Sequence, residues 1–224
     1  MLVYKCKGAR YARTVPVASP PARLSQRERR AQILRAAAAA FARGGFAGTS
    51  MEDVASEAGI TRLIVYRHFA SKEELYRAVL ERVAGRLRDE FHEGREAARE
   101  GYGFAVGSIL AVAREDPAGF RLLTGHAVRE PRFVSYHDAW WAAAVDAARA
   151  LLGDTVAAVP GREWAARTLV AFLVDAVDAW LEAGDPAADA LFVDRATAGA
   201  VAMVVAWSRV AGDGRAGPAA PSAL

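Results

Sequence analysis

Residues 57–75 read EAGITRLIVYRHFASKEEL, and the side on which this stretch buries its apolar residues decides the fold. On a helix beginning at Thr61, Val65 and Phe69 fall four positions apart on one face. Thr61 and Arg62 are then left in the first turn, and Tyr66, Arg67 and His68 lie toward the exit. Just upstream, Gly59 can take the positive φ that a tight turn needs. The segment Met51–Ala58 carries Ala55, small enough for close helix–helix approach. Alanine, glycine four residues later and a branched apolar residue six after that is the spacing of a helix-turn-helix unit. An ordinary helical hairpin inside a core shares this outline. What favours a groove reader is the chemistry on the outer side. An arginine in the first turn of such a helix faces base edges, and bidentate arginine–guanine contacts discriminate by about 1–3 kcal/mol per base. The phenol of Tyr66 and the imidazole of His68 suit phosphate oxygens, with the Tyr66 ring also packing. Lys72, in the first turn of the next helix, is placed to share a phosphate with helix-end amides. Phe69 is assigned to the core.

Working outward, the flanking sequence is helical. "SQRE" makes a capping box of Ser25 and Glu28 at the head of a first helix whose apolar face holds Ile33, Leu34, Ala37 and Phe41, stopped at Gly44-Gly45. Thr49 or Ser50 caps the second helix, with Glu52 or Asp53 reciprocating. Ser71 and Glu74 form another box ahead of Leu75, Val79, Leu80, Val83 and Leu87. Beyond residue 100 the expected helices are Phe104–Arg114, Pro117–Ala127, Phe133–Leu152, Arg162–Ala183 and Ala187–Val210. No stretch sustains period-two alternation, so the fold class is all-α. The expected organisation is a flexible basic arm over 1–24, a three-helix DNA-binding domain with its helix-turn-helix over 25–87, a larger helical domain over 88–211, for which a family resemblance carried by the front domain implies ligand binding and dimerisation, and a flexible tail over 212–224.

The 224 residues carry 53% hydrophobic content, which argues against wholesale disorder. The net charge of +3 conceals a division: residues 1–72 hold 13 Lys and Arg against 4 Asp and Glu, giving +9, and the remainder is therefore −6. A basic front and acidic rear suggest that only the front meets a polyanion, although four of those charges lie in the first 22 residues and read equally well as a solvated tail. The single cysteine, Cys6, excludes an internal disulfide and fits a reducing compartment. The N-terminus lacks a signal-peptide core. The longest charge-free apolar run, Ala196–Trp207, is twelve residues, short for a membrane span. A soluble cytoplasmic chain is expected.

The stretch "ILRAAAAAFARGGFAGTSMEDVASEAGITRLIVYRHFASKEELYRAVL" closely resembles the DNA-binding domain of TetR-type (tetracycline-repressor-like) transcriptional regulators, most tellingly in "GGFAGTS", "VASEAGI", "YRHF" and "SKEEL". The resemblance covers about sixty residues, and the rest matches only as an all-helical partner of suitable length. It implies homodimers that bind palindromic, inverted-repeat double-stranded DNA operators as repressors and let go when a small ligand enters the C-terminal domain. By position, Thr49 or Ser50 touches phosphate, Thr61, Arg62 and Leu63 face the bases, and Tyr66, His68 and Lys72 clamp the backbone. Leu63 and Ile64 are bulkier than the residues often found there, so Leu63 either presses on a thymine methyl or changes the depth at which the helix sits.

Two rear segments, Leu169–Ala183 and the last helix, are apolar on nearly every side and are expected to be buried all round, by a second copy of the chain or within one deep monomeric core. Aromatics crowd this half. Phe104, Phe120, Tyr136, Trp140 and Phe172, with His126 and Asp175 as polar members, are candidate ligand contacts. Asp175, inside an apolar helix, needs a partner if buried, either Arg167, an arginine of a second copy or a ligand cation. No catalytic or metal-binding motif is present, the four histidines lack metal-ligand spacing, and neither an enzyme nor a cofactor is expected. The alternative is a protein that coats DNA without sequence preference through its basic arm.

Overall fold

The computed structural model describes residues 24–98, 102–156 and 161–212, so both expected tails lie almost wholly outside the described residues. No strand occurs among them. The helix α1 (Gln26–Gly48) opens on the expected capping box: the Glu28 amide donates to Ser25 Oγ at 3.2 Å and the Ser25 amide to the Glu28 carboxylate at 2.8 Å. Its buried face carries Ile33, Ala37 and Phe41. The expected stop is a kink instead, because Gly45 adopts φ 67° and ψ 173° and helical turns resume through Gly48. That kink turns Phe46 inward, edge-on to Tyr76 (5.3 Å between ring centres) and Phe133 (4.9 Å).

The short α2 (Met51–Glu57) and α3 (Arg62–His68) pack on α1 through Val54, Ala55 and Val65, all essentially inaccessible. Between them stands a Schellman turn, in which the Ile60 amide bonds Ala55 O at 3.0 Å and the Gly59 amide bonds Ser56 O at 3.1 Å, with Gly59 at φ 64°. From α1, Gln32 Nε2 donates to the last free carbonyl of the turn, Ala58 O, at 2.8 Å. The helix α4 (Lys72–Ala97) begins at Ser71, whose hydroxyl accepts from the Glu74 amide. The reciprocal half of that expected box is displaced by one residue, for Glu74 accepts from Ala70. The helix then runs unbroken past residues 87 and 88, so one rigid element spans the expected domain boundary.

The rear half consists of α5 (Gly103–Glu115), α6 (Pro117–Arg121), α7 (Val134–Leu152), α8 (Gly161–Ala183) and α9 (Asp189–Gly212). The helix expected over Pro117–Ala127 instead breaks into α6, a π turn over Leu122–His126 and a 3-10 turn over Ala127–Arg129. Leu122, Leu123 and Ala127 of these turns all enter the core, each at 0% exposure. Gly119 lets α6 lie against α4: a Cβ there would come within 2.7 Å of Val83 Cγ2. An Arg82–Asp116 ion pair fastens the same contact.

Of the two kinds of cover expected for α8 and α9, the single chain does not supply the deep monomeric core. In the single chain α8 buries Leu169, Val170, Val174 and Val177, whereas Trp164 is 55% exposed and Leu191, Val201 and Val205 of α9 are 49%, 38% and 40% exposed. The twelve-residue run lies inside a longer segment, and Pro186–Ser208 is by length and composition apolar enough to cross a membrane, with 11% of its most apolar stretch buried. Polar contacts nonetheless fix its start to the bundle. Arg114 forks onto Asp189 at 2.8 and 3.0 Å, and Trp180 Nε1 donates to the same carboxylate at 2.7 Å, contacts that hold the Asp189 carboxyl below its usual range.

Candidate nucleic-acid interface and effector cavity

Because Val65 and Phe69 face inward, the opposite side of α3 is free. Thr61, Arg62, Leu63, Tyr66 and Arg67 are exposed, Leu63 to 63%. Thr61 N-caps the helix with an extended backbone and makes no side-chain cap bond, so its hydroxyl remains available. The Arg62 guanidinium donates to the Tyr66 hydroxyl at 3.2 Å and lies 5.2 Å from that ring centre, an i,i+4 stack that holds both side chains outward. His68 is half-buried at the helix exit. Arg67 was missing from the sequence-derived set; its place two positions from the inward-facing Val65 was the signal that it lies on the outer side.

Two of the expected phosphate contacts, Thr49 and Lys72, are engaged within the protein. Thr49 is 4% exposed, and its hydroxyl donates to Gly45 O at 2.8 Å and Ala40 O at 3.2 Å, fastening the α1 kink. Ser50 is the N-cap of α2 and stays exposed, with its hydroxyl shared with Asp53. These bonds hold the Asp53 carboxyl below its usual range. Lys72, half-exposed, is likewise bonded within the protein: its ammonium donates to Phe46 O at 2.8 Å and Thr49 O at 2.9 Å, and lies 4.6 Å from the Phe46 ring centre. The carbonyls left free by the kink claim the charge that sequence spacing had assigned to a phosphate.

In the rear half a cavity of about 960 Å³ opens between α4, α5, α7, α8 and α9. Of the candidate ligand contacts, Tyr136 and Trp140 line it. The other five do not. Phe120 is a fully buried core residue, Phe104 packs on Phe91 at 5.4 Å, and Phe172 is wedged between α8 and Gly199 of α9. His126 sits in the π turn, outside the lining. Asp175 is exposed, so it needs no internal counter-charge. The missed lining is partly polar, with Arg88, His92 and Arg95 of α4 and Thr197 of α9, and partly aliphatic, with Leu169, Leu173 and Val204, which carry no chemical signal that distinguishes cavity from core.

An exposed basic recognition helix held by a Schellman turn, joined by a continuous helix to a hollow helical bundle, defines a helix-turn-helix DNA-binding transcriptional regulator. Comparison with known proteins specifies the family. The profile of bacterial regulatory proteins of the tetR family matches residues 33–79. The HTH-type transcriptional activator FasR of Mycolicibacterium smegmatis is 31% identical over 169 residues, 73% of this chain and 77% of that protein. Among solved structures, a tetR-family transcriptional regulator from Streptomyces coelicolor superposes with TM-score 0.59 at 25% identity, over 84% of this chain and 87% of that one. A SmeT–triclosan complex superposes with TM-score 0.57 at 21% identity, over 80% and 90%. The chain belongs to the tetR family of bacterial regulatory proteins, and the relatives are transcriptional regulators, not enzymes.

Proposed function

We propose that this regulator acts as a homodimeric repressor in the cytoplasm, reading an inverted-repeat operator with α3 and releasing it when a small molecule enters the α4–α9 cavity. The observation that carries the reading is the outward side of α3, where Thr61, Arg62, Leu63, Tyr66 and Arg67 are exposed around a buried Val65. In that reading Thr61, Arg62 and Leu63 meet base edges, and Tyr66, His68, Ser50 and Arg67 meet phosphate.

The exposed apolar side of α8 and α9 supports pairing with a second copy. Trp164, Leu191 and Val205 are large apolar groups left wet on adjacent helices, and a two-fold interface of four helices covers them. Asp175, exposed on the same helix pair, then faces the partner. Dimerisation also supplies the second reader one helical turn away, about 34–36 Å. The lever is α4. One side of it lines the cavity at Ala84, Gly85 and Arg88, while Arg82 and Val83 hold α6, and its N-terminus carries Lys72 into the α1 kink. Expansion of the cavity therefore tilts α4 against α1, the helix on which α2 packs. Fold similarity to a protein crystallised with triclosan, SmeT, is consistent with a small-molecule effector.

Selection of bound fragments from random double-stranded DNA tests this reading. An inverted repeat recovered at physiological salt is expected, and equal retention of all sequences with a steep salt dependence would establish the DNA-coating alternative instead. Because FasR is named an activator, a reporter placed behind the recovered operator reads the sign, and a repressor lowers its output until effector is added.

A further inference from the structure

Within the DNA-reading half, the exposed Arg43 is claimed by a carboxylate, Glu57. Arg62 is held differently. It makes no ion pair among the described residues, and its holder is a neutral phenol: Nη2 donates to the Tyr66 hydroxyl at 3.2 Å, with the guanidinium 5.2 Å from the ring centre. Helical side chains lean toward the N-terminus, so the Tyr66 hydroxyl reaches back over the first turn of α3, where Arg62 stands. A guanidinium carries five N–H groups in a rigid planar fork, and one of them is spent on Tyr66. Nη2 belongs to both forked edges of the group, with Nε on one and Nη1 on the other. Spending one of its hydrogens therefore closes one edge and leaves the other whole. The hydroxyl, for its part, accepts from Arg62 and gives its own proton to no acceptor among the described residues. Tyr66 is 40% exposed, so that proton is open to an incoming partner. A carboxylate in place of the phenol would repel phosphate and cancel the charge that draws a duplex in, whereas a phenol does neither.

Resting on the reading of α3 as the operator reader, we propose that Tyr66 is a positioning residue for base choice as well as a backbone contact. On DNA its hydroxyl donates to a phosphate oxygen while still accepting from Arg62, and this relay turns the free edge of the guanidinium onto guanine O6 and N7. Register on the backbone and choice of base then become one event. Where the base at that step is not guanine, the hydroxyl still meets its phosphate, but the edge of Arg62 faces groups that do not accept both bonds. Without the hydroxyl, Arg62 keeps its charge and its reach and loses its orientation, and a wandering cation is drawn to phosphates, which are the same in every sequence.

Binding-site selection with the full chain, followed by titration of the recovered operator and its single-base variants, tests the relay in the wild type, Arg62→Ala, Tyr66→Phe and the double variant. Tyr66→Phe keeps the ring and removes only an exposed hydroxyl, so the fold persists, which melting temperature checks. Arg62→Ala marks the base pair that Arg62 reads, by a roughly tenfold loss of discrimination there. Tyr66→Phe is expected to remove at least about threefold of discrimination at that same base pair, on top of a uniform weakening from the lost phosphate contact. In the Arg62→Ala background the hydroxyl is expected to carry no discrimination at all, so the two losses do not multiply. A phenol that only packs, or only touches phosphate, gives a different result: Tyr66→Phe weakens every sequence equally and leaves the preference at that base pair intact. That outcome overturns the relay and leaves operator reading standing. An Arg62→Ala variant with no base-specific loss overturns the relay as well, and a wild type that recovers no preferred sequence overturns both.

Discussion

In the free chain the Arg62 guanidinium leans on Tyr66, 3.2 Å from its hydroxyl, while ten residues on the Lys72 ammonium is turned into the carbonyls of the α1 kink. The two cations are therefore expected to fail in different ways. Arg62→Ala removes an exposed fork and leaves packing intact, so stability stays within the noise and operator choice relaxes at one or two base positions by roughly tenfold. Binding-site selection repeated with the variant checks this, and a uniform loss across sequences would contradict it. Lys72→Met strips Phe46 O and Thr49 O of their donor. Half-buried carbonyls left unpaired cost about 1 kcal/mol, or about 2–4 °C of melting temperature for a chain of this size. A phosphate-contacting lysine would reduce the slope of log affinity against log salt by about one when removed. Here that slope is expected to be unchanged, and measuring it separates a structural lysine from a DNA contact. The outer positions of α3 were legible because the side that Val65 and Phe69 bury fixes the side that is left. Lys72 and Thr49 were not, because the acceptors that claim them are carbonyls released by a kink whose φ and ψ no sequence spacing reveals.

Elements here are set by their ends. Capping boxes at Ser25 and Ser50 and the Schellman turn at Gly59 stood in the sequence as residue pairs three apart and as a glycine after a short helix. The π turn over Leu122–His126 did not, since no residue pair at a fixed spacing marks it. The two positive-φ glycines of the DNA-reading half make a graded test. A Cβ at either meets nothing within 4 Å, so the penalty is backbone conformation alone. Gly59 closes a Schellman turn in the left-handed helical region, and Gly59→Ala is expected to cost about 1 kcal/mol. Gly45 combines φ 67° with ψ 173°, a region essentially confined to glycine. Gly45→Ala is therefore expected to cost more, up to about 3 kcal/mol, and to loosen the Phe46 ring from Tyr76 and Phe133. Denaturant unfolding of the two variants checks the order; equal losses would mean that the kink relaxes.

At the scale of the whole molecule, the single chain leaves an account open along α8 and α9. Apolar periodicity correctly marked both helices as needing cover, but a sequence does not say which side its own bundle supplies. The fold gives Val174 and Val177 to the interior and leaves Trp164, Leu191 and Val205 outside. If that face is where two copies meet, a charge placed on it acts on assembly and not on folding. Val205 is already 40% exposed, so Val205→Asp adds little to the unfolding balance of one chain. In such a dimer the same carboxylate is buried in the interface, where an unpaired charge opposes association. Light scattering is expected to show the wild type as a dimer and the variant as a folded monomer with unchanged helical content. A monomer also loses the linkage that makes the second half-site contact intramolecular, so affinity for the full inverted repeat falls by about 10²–10⁴ while affinity for an isolated half-site is preserved. A monomeric wild type, or a variant that keeps full operator affinity, would place the apolar face of α8 and α9 outside the machinery of DNA reading.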